Sequence, residues 1–317
     1  MITIPSPQTK QWVQANKGEI FGNLYRTRNI DLDEKGYLKL AKRANMIDSS
    51  GKMLNCFFFA AANLYIVPTD TTVYQISSDL NTVASVTASG GSNPTLSIYG
   101  DGVMFNALAY FSTTSTLVKM DSALAFTSLS GSITLTSSKF HPLCVFESLN
   151  YLAVGDANTV KLYNTSDSLI ETLTIPQEYE VTWLVYKDQN LYIGTRNLQG
   201  GQAKMFIWNG SGTAFQASYG FNAEWSFSGC EYGSSIASIT SNGEIVYFTG
   251  GGFEQIVALP VYSTGYQWWK AGVNPTEGKV QRRGMLADGK KLYIVLSGHL
   301  GEYPYNLEAQ PSGLWCY

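Results

Sequence analysis

A short apolar strand returns every forty-odd residues along this chain, tight polar turns separate the returns, and helix formers are scarce after about residue 45. Together these predict an all-β chain folded as a β-propeller, with six four-stranded blades. The recurring stretch is Asn63-Leu64-Tyr65-Ile66-Val67, and its later versions centre on Tyr110, Leu152, Tyr192, Tyr247 and Tyr293. The steps between centres, starting from Tyr65, are 45, 42, 40, 55 and 46 residues. One propeller blade has that length, and the stretch reads as the second strand of each blade.

The composition agrees. Charged residues are 14% of the chain, well below the roughly 25% of ordinary soluble domains, while 30 glycines supply turns and 20 tyrosines suit half-buried strands. A net charge of −3 and a pI near 5.5, with no basic stripe, give no footprint for nucleic acid. No apolar run reaches the ~18–20 residues of a membrane helix, and the amino terminus lacks a signal-peptide pattern. The expectation is synthesis in a cytoplasm without export and no membrane partner. The four cysteines (Cys56, Cys144, Cys230, Cys316) include no C-x-x-C pair, and only two histidines accompany them, so neither a metal nor a cofactor is expected.

In chain order, residues 1–35 form an arm. Pro5 and Pro7 keep its start extended, and Trp12, Phe21 and Tyr25 are candidate anchors. Ile30 and Leu32, then Leu38 and Leu40, alternate with polar residues on either side of Asp33-Glu34-Lys35-Gly36, which predicts two short strands and a turn. Blade one reads as strands at 56–61, 64–67, 73–76 and 83–86, and blade two as 95–99, 108–112, 117–120 and 125–129. Blade three follows at 143–147, 151–154, 160–163 and 170–175, and blade four at 181–186, 191–195, 205–208 and 214–218. Blade five is assigned 236–240, 245–249, 255–259 and a weak outer strand near Val261.

Blade six has 280–286, 292–296 and 314–317, one strand short. Because open sheet edges are a liability, residues 37–41 are expected to lie beside 314–317 and close the ring. That makes residues 1–35 the arm and 36–317 the propeller. The alternative is that the chain is a piece of a longer protein, since Trp315-Cys316-Tyr317 carries no polar tail.

The long segments, 219–235, 261–279, 197–202, 250–253 and 297–312, are expected on one face, where second-to-third loops and blade connections lie. Tight turns at 188–189, 241–243 and 288–290 are expected on the other. Tyr and Trp anchor interfaces, so the candidate binding residues are Trp225, Tyr232, Tyr266, Trp268, Trp269, His299, Tyr303 and Tyr305. Two readings compete with an interface: the loops bury their aromatics against each other, or Trp225, Trp268, Trp269 and Tyr303 stack on a glycan.

Catalytic motifs are missing. Gly250-Gly251-Gly252 is not followed by the Lys-Ser/Thr of a phosphate loop, no Gly-x-Ser-x-Gly occurs, and His141 and His299 have no evident nucleophile. The expectation is a protein that is not an enzyme, with glycoside hydrolysis as the weaker alternative, because its carboxylate pairs follow the fold and not the spacing.

Gly22-Asn23, Arg28-Asn29-Ile30-Asp31-Leu32 and Gly36-Tyr37-Leu38-Lys39-Leu40-Ala41-Lys42-Arg43 resemble the opening of tailed-bacteriophage virion proteins, such as tail nozzle and tail hub proteins of short-tailed phages. There a short arm leads into a propeller. The resemblance implies a structural protein of the virion tail or head–tail junction. It would form a homo-oligomeric ring and touch other virion proteins through the arm and the loop-rich face. No functional residue is carried over by it.

Overall fold

The computed structural model describes residues 30–32, 38–40, 57–68, 73–78, 83–86, 101–113, 115–137, 139–241, 244–258, 280–288, 291–296 and 313–316. The chain divides into two units, Met1–Ser49 and Ser50–Tyr317. In the first, β1 (Ile30–Leu32) pairs antiparallel with β2 (Leu38–Leu40), with Asp31 opposite Lys39. This is the hairpin that the alternation predicts.

The second unit is a propeller. Its sheets follow one another in sequence, each a simple antiparallel meander. Blade one is β3 (Phe57–Phe59), β4 (Leu64–Pro68), β5 (Val73–Ser77) and β6 (Val83–Val86). Blade two is β7 (Gly102–Phe105), β8 (Leu108–Ser112), β9 (Leu117–Met120) and β10 (Phe126–Ser128). Blade three comprises β11 (Leu143–Phe146), β12 (Tyr151–Asp156), β13 (Thr159–Tyr163) and β14 (Leu169–Thr174). Blade four holds β15 (Tyr179–Lys187), β16 (Asn190–Asn197), β17 (Lys204–Trp208) and β18 (Ala217–Gly220). Blade five has β19 (Ser226–Tyr232), β20 (Ser235–Thr240), β21 (Glu244–Phe248) and β22 (Phe253–Ala258). The last sheet has three strands, β23 (Val280–Asp288), β24 (Lys291–Leu296) and β25 (Gly313–Cys316).

The core lies between blades. Phe57, Phe59 and Ile66 of blade one pack with Phe111, Val118 and Met120 of blade two. Blade two continues into blade three through Phe105, Tyr110 and Leu117 against Leu143, Leu152 and Val154. Phe146 and Leu162 of blade three meet Leu191, Ile193 and Trp208 of blade four, and Trp183 and Met205 of blade four meet Ile236 and Phe248 of blade five. Phe227, Ile239 and Ile245 of blade five then meet Met285, Leu292 and Ile294. Second strands therefore bury both faces, which is why β8 and β12 read as near-continuous apolar runs.

Two expectations are corrected. In blade two the inner strand is β7, not 95–99, which lies outside the described residues. Its hairpin turns on Asn106 and Ala107, both at positive φ (50° and 61°), and such a turn without glycine carries a weak sequence signal. In blade five the strands sit one place further out than expected. Tyr247 lies in the third strand, and the inner strand is β19, inside the stretch read as a loop. From Tyr192 to Ala237 of β20 is then 45 positions, and from Ala237 to Tyr293 is 56, so the surplus length falls after blade five. Among the described residues β2 pairs with β1. The expected place of residues 37–41 beside β25 falls partly outside the described residues and is not tested by these pairings, and closure of the ring is not shown.

β19 escaped notice because packing forces small residues on it. The Trp183 indole of β15 lies against Gly194 of β16 and Gly229 of β19. A Cβ at Gly194 would come 1.9 Å from its Cε2, and one at Gly229 would come 2.6 Å from its Cδ2. Trp183 Nε1 donates to Ser226 Oγ at 2.6 Å, so the ring cannot simply swing aside. Overpacking of this kind costs about 1–3 kcal/mol. Gly194→Ala should therefore lower the melting temperature by several degrees, whereas Gly251→Ala, with nothing within 4 Å, should leave it unchanged. Equal melting curves for the two variants would remove this account of the blade four–five junction.

Candidate functional site

The meander sorts the loops. First-to-second and third-to-fourth turns lie on one side, the hairpin face; second-to-third loops and blade connections lie on the other, the connection face. The 197–202 loop, between β16 and β17, is on the connection face as expected. The 241–243 turn joins β20 to β21 and so also belongs there, while 250–253 joins β21 to β22 and belongs to the hairpin face. Both are the reverse of the expectation, and both follow from the one-strand shift in blade five.

Trp225 and Tyr232 flank β19 at opposite ends, roughly 20 Å apart at strand rise. They do not share a face. Tyr266, Trp268, Trp269, His299, Tyr303 and Tyr305 lie outside the described residues. Trp225 is half-buried, packs against Phe227 with ring centroids 5.3 Å apart, and carries the Arg196 guanidinium 4.6 Å above its ring. Its backbone forms a bridge with Arg196 and donates to Ser241 Oγ. Tyr232 packs edge-on against Tyr247.

What converges on the connection face is a charged set that the sequence reading did not single out. Glu180, at the start of β15, is buried and accepts from Arg196 Nη2 at 2.7 Å and Lys139 Nζ at 2.9 Å. Burial alone would raise its carboxyl; the hydrogen bonds and charges of Arg196, then Lys139, outweigh it and hold the group below its ordinary 4.5. Asp156 closes β12 in the same manner. Burial works against its charge, but Lys161 Nζ at 2.7 Å and the Thr136 amide at 2.8 Å hold it below 3.8.

Two more buried groups extend the set. His141, fully buried, has each ring nitrogen 3.0 Å from a backbone carbonyl, Gly155 at Nδ1 and Thr136 at Nε2. Asp101 accepts from the Leu143 amide at 2.7 Å, joining the entry of blade two to the inner strand of blade three. Ser112 Oγ donates to the His141 carbonyl at 2.9 Å across the same boundary.

Chemically this arrangement fastens blades together. Among the described residues no group of three His, Cys, Asp or Glu side chains could hold a metal. Burial, then the charge of Glu231, pushes the Cys230 thiol up to about 12, so it is not a nucleophile at neutral pH. No helix among the described residues is long and apolar enough to cross a membrane.

These features define the class: the chain is a β-propeller protein. No family model matches it, and no curated protein does. Solved structures do resemble it. One is a catalytically inactive variant of virginiamycin B lyase from Staphylococcus aureus with quinupristin, at TM-score 0.56 and 8% identity over 81% of this chain and 95% of that one. Another is the extracellular domain of a putative one-component system from B. thetaiotaomicron, at TM-score 0.57 and 14% identity, covering 84% of this chain and 32% of that one. Kuenenia stuttgartiensis hydrazine synthase matches at TM-score 0.53 and 10% identity over 80% and 76%. At these identities the likeness shows the fold alone. The first of them corrects the expectation that the chain is not an enzyme: a lyase has this architecture, so missing sequence motifs are no ground for ruling catalysis out.

The charged set makes a pH prediction. Both carboxyls are depressed in the folded state, so the stability they supply is complete above about pH 4.5 and is lost as pH falls through their folded values. Glu180→Gln should destabilise the protein at pH 7, toward the lower end of the roughly 3–5 kcal/mol for breaking a buried pair, because Lys139 and Arg196 keep some access to water. Its denaturant stability should also fall less steeply than the wild type's between pH 5 and pH 3 (about the carboxylate range). Identical acid slopes would show that Glu180 is not held as described.

Proposed function

We propose that this chain is a structural protein of a phage virion, placed in the tail or head–tail junction and assembling into a ring with other copies. The observation that carries the reading is the run from Gly22 to Arg43. It resembles the opening of phage tail nozzle and hub proteins, and within it β1 and β2 form a hairpin in a unit distinct from the propeller that follows. Two strands of three residues are marginal in water by themselves, so such a hairpin draws stability from a further surface. A neighbouring subunit supplies one.

The propeller suits such a role. Its buried connection-face carboxylates are engaged in ion pairs, Glu180 with Lys139 from the preceding blade connection and with Arg196, and Asp156 with Lys161, and its low charge content leaves a polar but weakly charged exterior. The glycan reading has lost part of its basis, because one face of the Trp225 ring is already covered by Arg196. Its other aromatics lie outside the described residues.

Purified virions of the source phage, analysed by mass spectrometry, should contain this chain in fixed stoichiometry with tail or portal components. Light scattering of the purified chain should show a multimer. Absence from virions, or a gene neighbourhood without portal, terminase or tail genes, would overturn the reading.

A further inference from the structure

Large apolar side chains left in water lie, among the described residues, mainly on the hairpin face. Among the described residues six are exposed; Phe58, Leu149, Leu169, Ile170 and Leu286 lie at or beside turns of that face, and only Leu198 lies on the other. Blade three carries three of them. Leu149 ends the 3-10 turn Glu147–Leu149 between β11 and β12, and Leu169 and Ile170 open β14. The two turns are two strand spacings apart, about 10 Å. Leu149 is 40% exposed, Leu169 53% and Ile170 47%, so each would bury substantial area under a partner.

The border of this patch is acidic. Glu147 is exposed in the same turn, Glu171 follows Ile170, and Asp188 is exposed in the β15–β16 turn of the next blade. The lysines of the neighbouring blades on this face are neutralised: Lys119 lies 2.6 Å from Asp167, and Lys187 lies 2.5 Å from Glu231. β14 is also the last strand of its sheet among the described residues. It has six residues, against three in β10 and four in β18 of the flanking blades, and it contains neither the lysine nor the proline that commonly blunts an edge.

Resting on the assembly proposed above, we propose that this patch receives residues 38–43 of a second copy of this chain. That segment reads Leu-Lys-Leu-Ala-Lys-Arg, three cations and two leucines in six positions. It complements three exposed apolar side chains with an acidic border. Apolar contact provides most of the affinity, and the charges select the partner and its orientation. An extended segment can in addition pair with the edge of β14 as a fifth strand.

The test uses the full chain, with light scattering over a concentration series and a melting curve for every variant. Leu169→Lys with Ile170→Lys changes half-exposed side chains, so the melting temperature should stay at the wild-type value while association weakens at least tenfold. Lys39→Glu with Lys42→Glu should weaken it similarly, and adding Glu147→Lys and Glu171→Lys to that variant should restore it. A wild-type chain that stays monomeric at every concentration overturns the proposal. So does a wild-type chain that assembles while the patch variants assemble equally well; in that case another interface forms the ring and the virion reading stands. Absence from virions sinks that reading without altering the association measured here.

Discussion

Everything in the propeller unit depends on burial between consecutive blades. A four-stranded sheet of strands three to nine residues long has two faces and no means of covering either by itself. Each of the five apolar clusters accordingly draws on two successive blades. The blade is therefore a unit of sequence and not of stability, as in other repeat architectures. Second strands carry the heaviest apolar burden because both of their faces are inside, and the outer strands carry the least: β14 and β18 show mostly exposed and half-buried positions.

Burying sheets against one another brings polar groups inside with them, and the structure pairs them across the same boundaries. Thr182 Oγ1 donates to the Ser226 carbonyl at 2.6 Å beside the Trp183–Ser226 bond, and within blade five Ser226 Oγ meets Ser238 Oγ at 2.5 Å. Lys187, nearly buried, reaches Glu231 at the far end of the same pair of inner strands. Such contacts add little net stability compared with apolar packing, but each is costly to leave half-made. They consequently fix the register and angle of one blade against the next. The Trp183 wedge shows the same constraint acting on shape: one large ring requires two glycines and a serine on the strands it touches.

The period of the fold was legible in the sequence because second strands are apolar on both sides, which no turn or edge strand imitates. Reading failed where packing altered the pattern. In blade five Ser226, Ser228 and Gly229 make an inner strand without a β-branched residue, while Ile245-Val246-Tyr247-Phe248 imitates a second strand from the third position. Trp225 looked like a loop aromatic because the strand beside it was invisible. The charged set was hidden differently. Glu180 and Arg196 sit at strand ends, where charged residues normally mark solvent, and only their partners show that they are inside.

Those partners nonetheless follow a rule that the period contains. Lys139 and Glu180 are 41 residues apart, Asp101 and Leu143 42, Trp183 and Ser226 43, and Lys187 and Glu231 44. Each separation is one blade. A residue on an inner strand, or shortly before one, finds its partner one repeat away because the inner strands are the closest elements of successive blades. Polar pairs at the repeat distance are therefore joints between successive blades, and exposed apolar residues that lack such a counterpart are available for other contacts. By that criterion Asp101, Lys139 and Glu180 on the connection face are committed to holding blades together. The hairpin face is where side chains such as Leu149, Leu169 and Ile170 have no structural duty that accounts for their exposure.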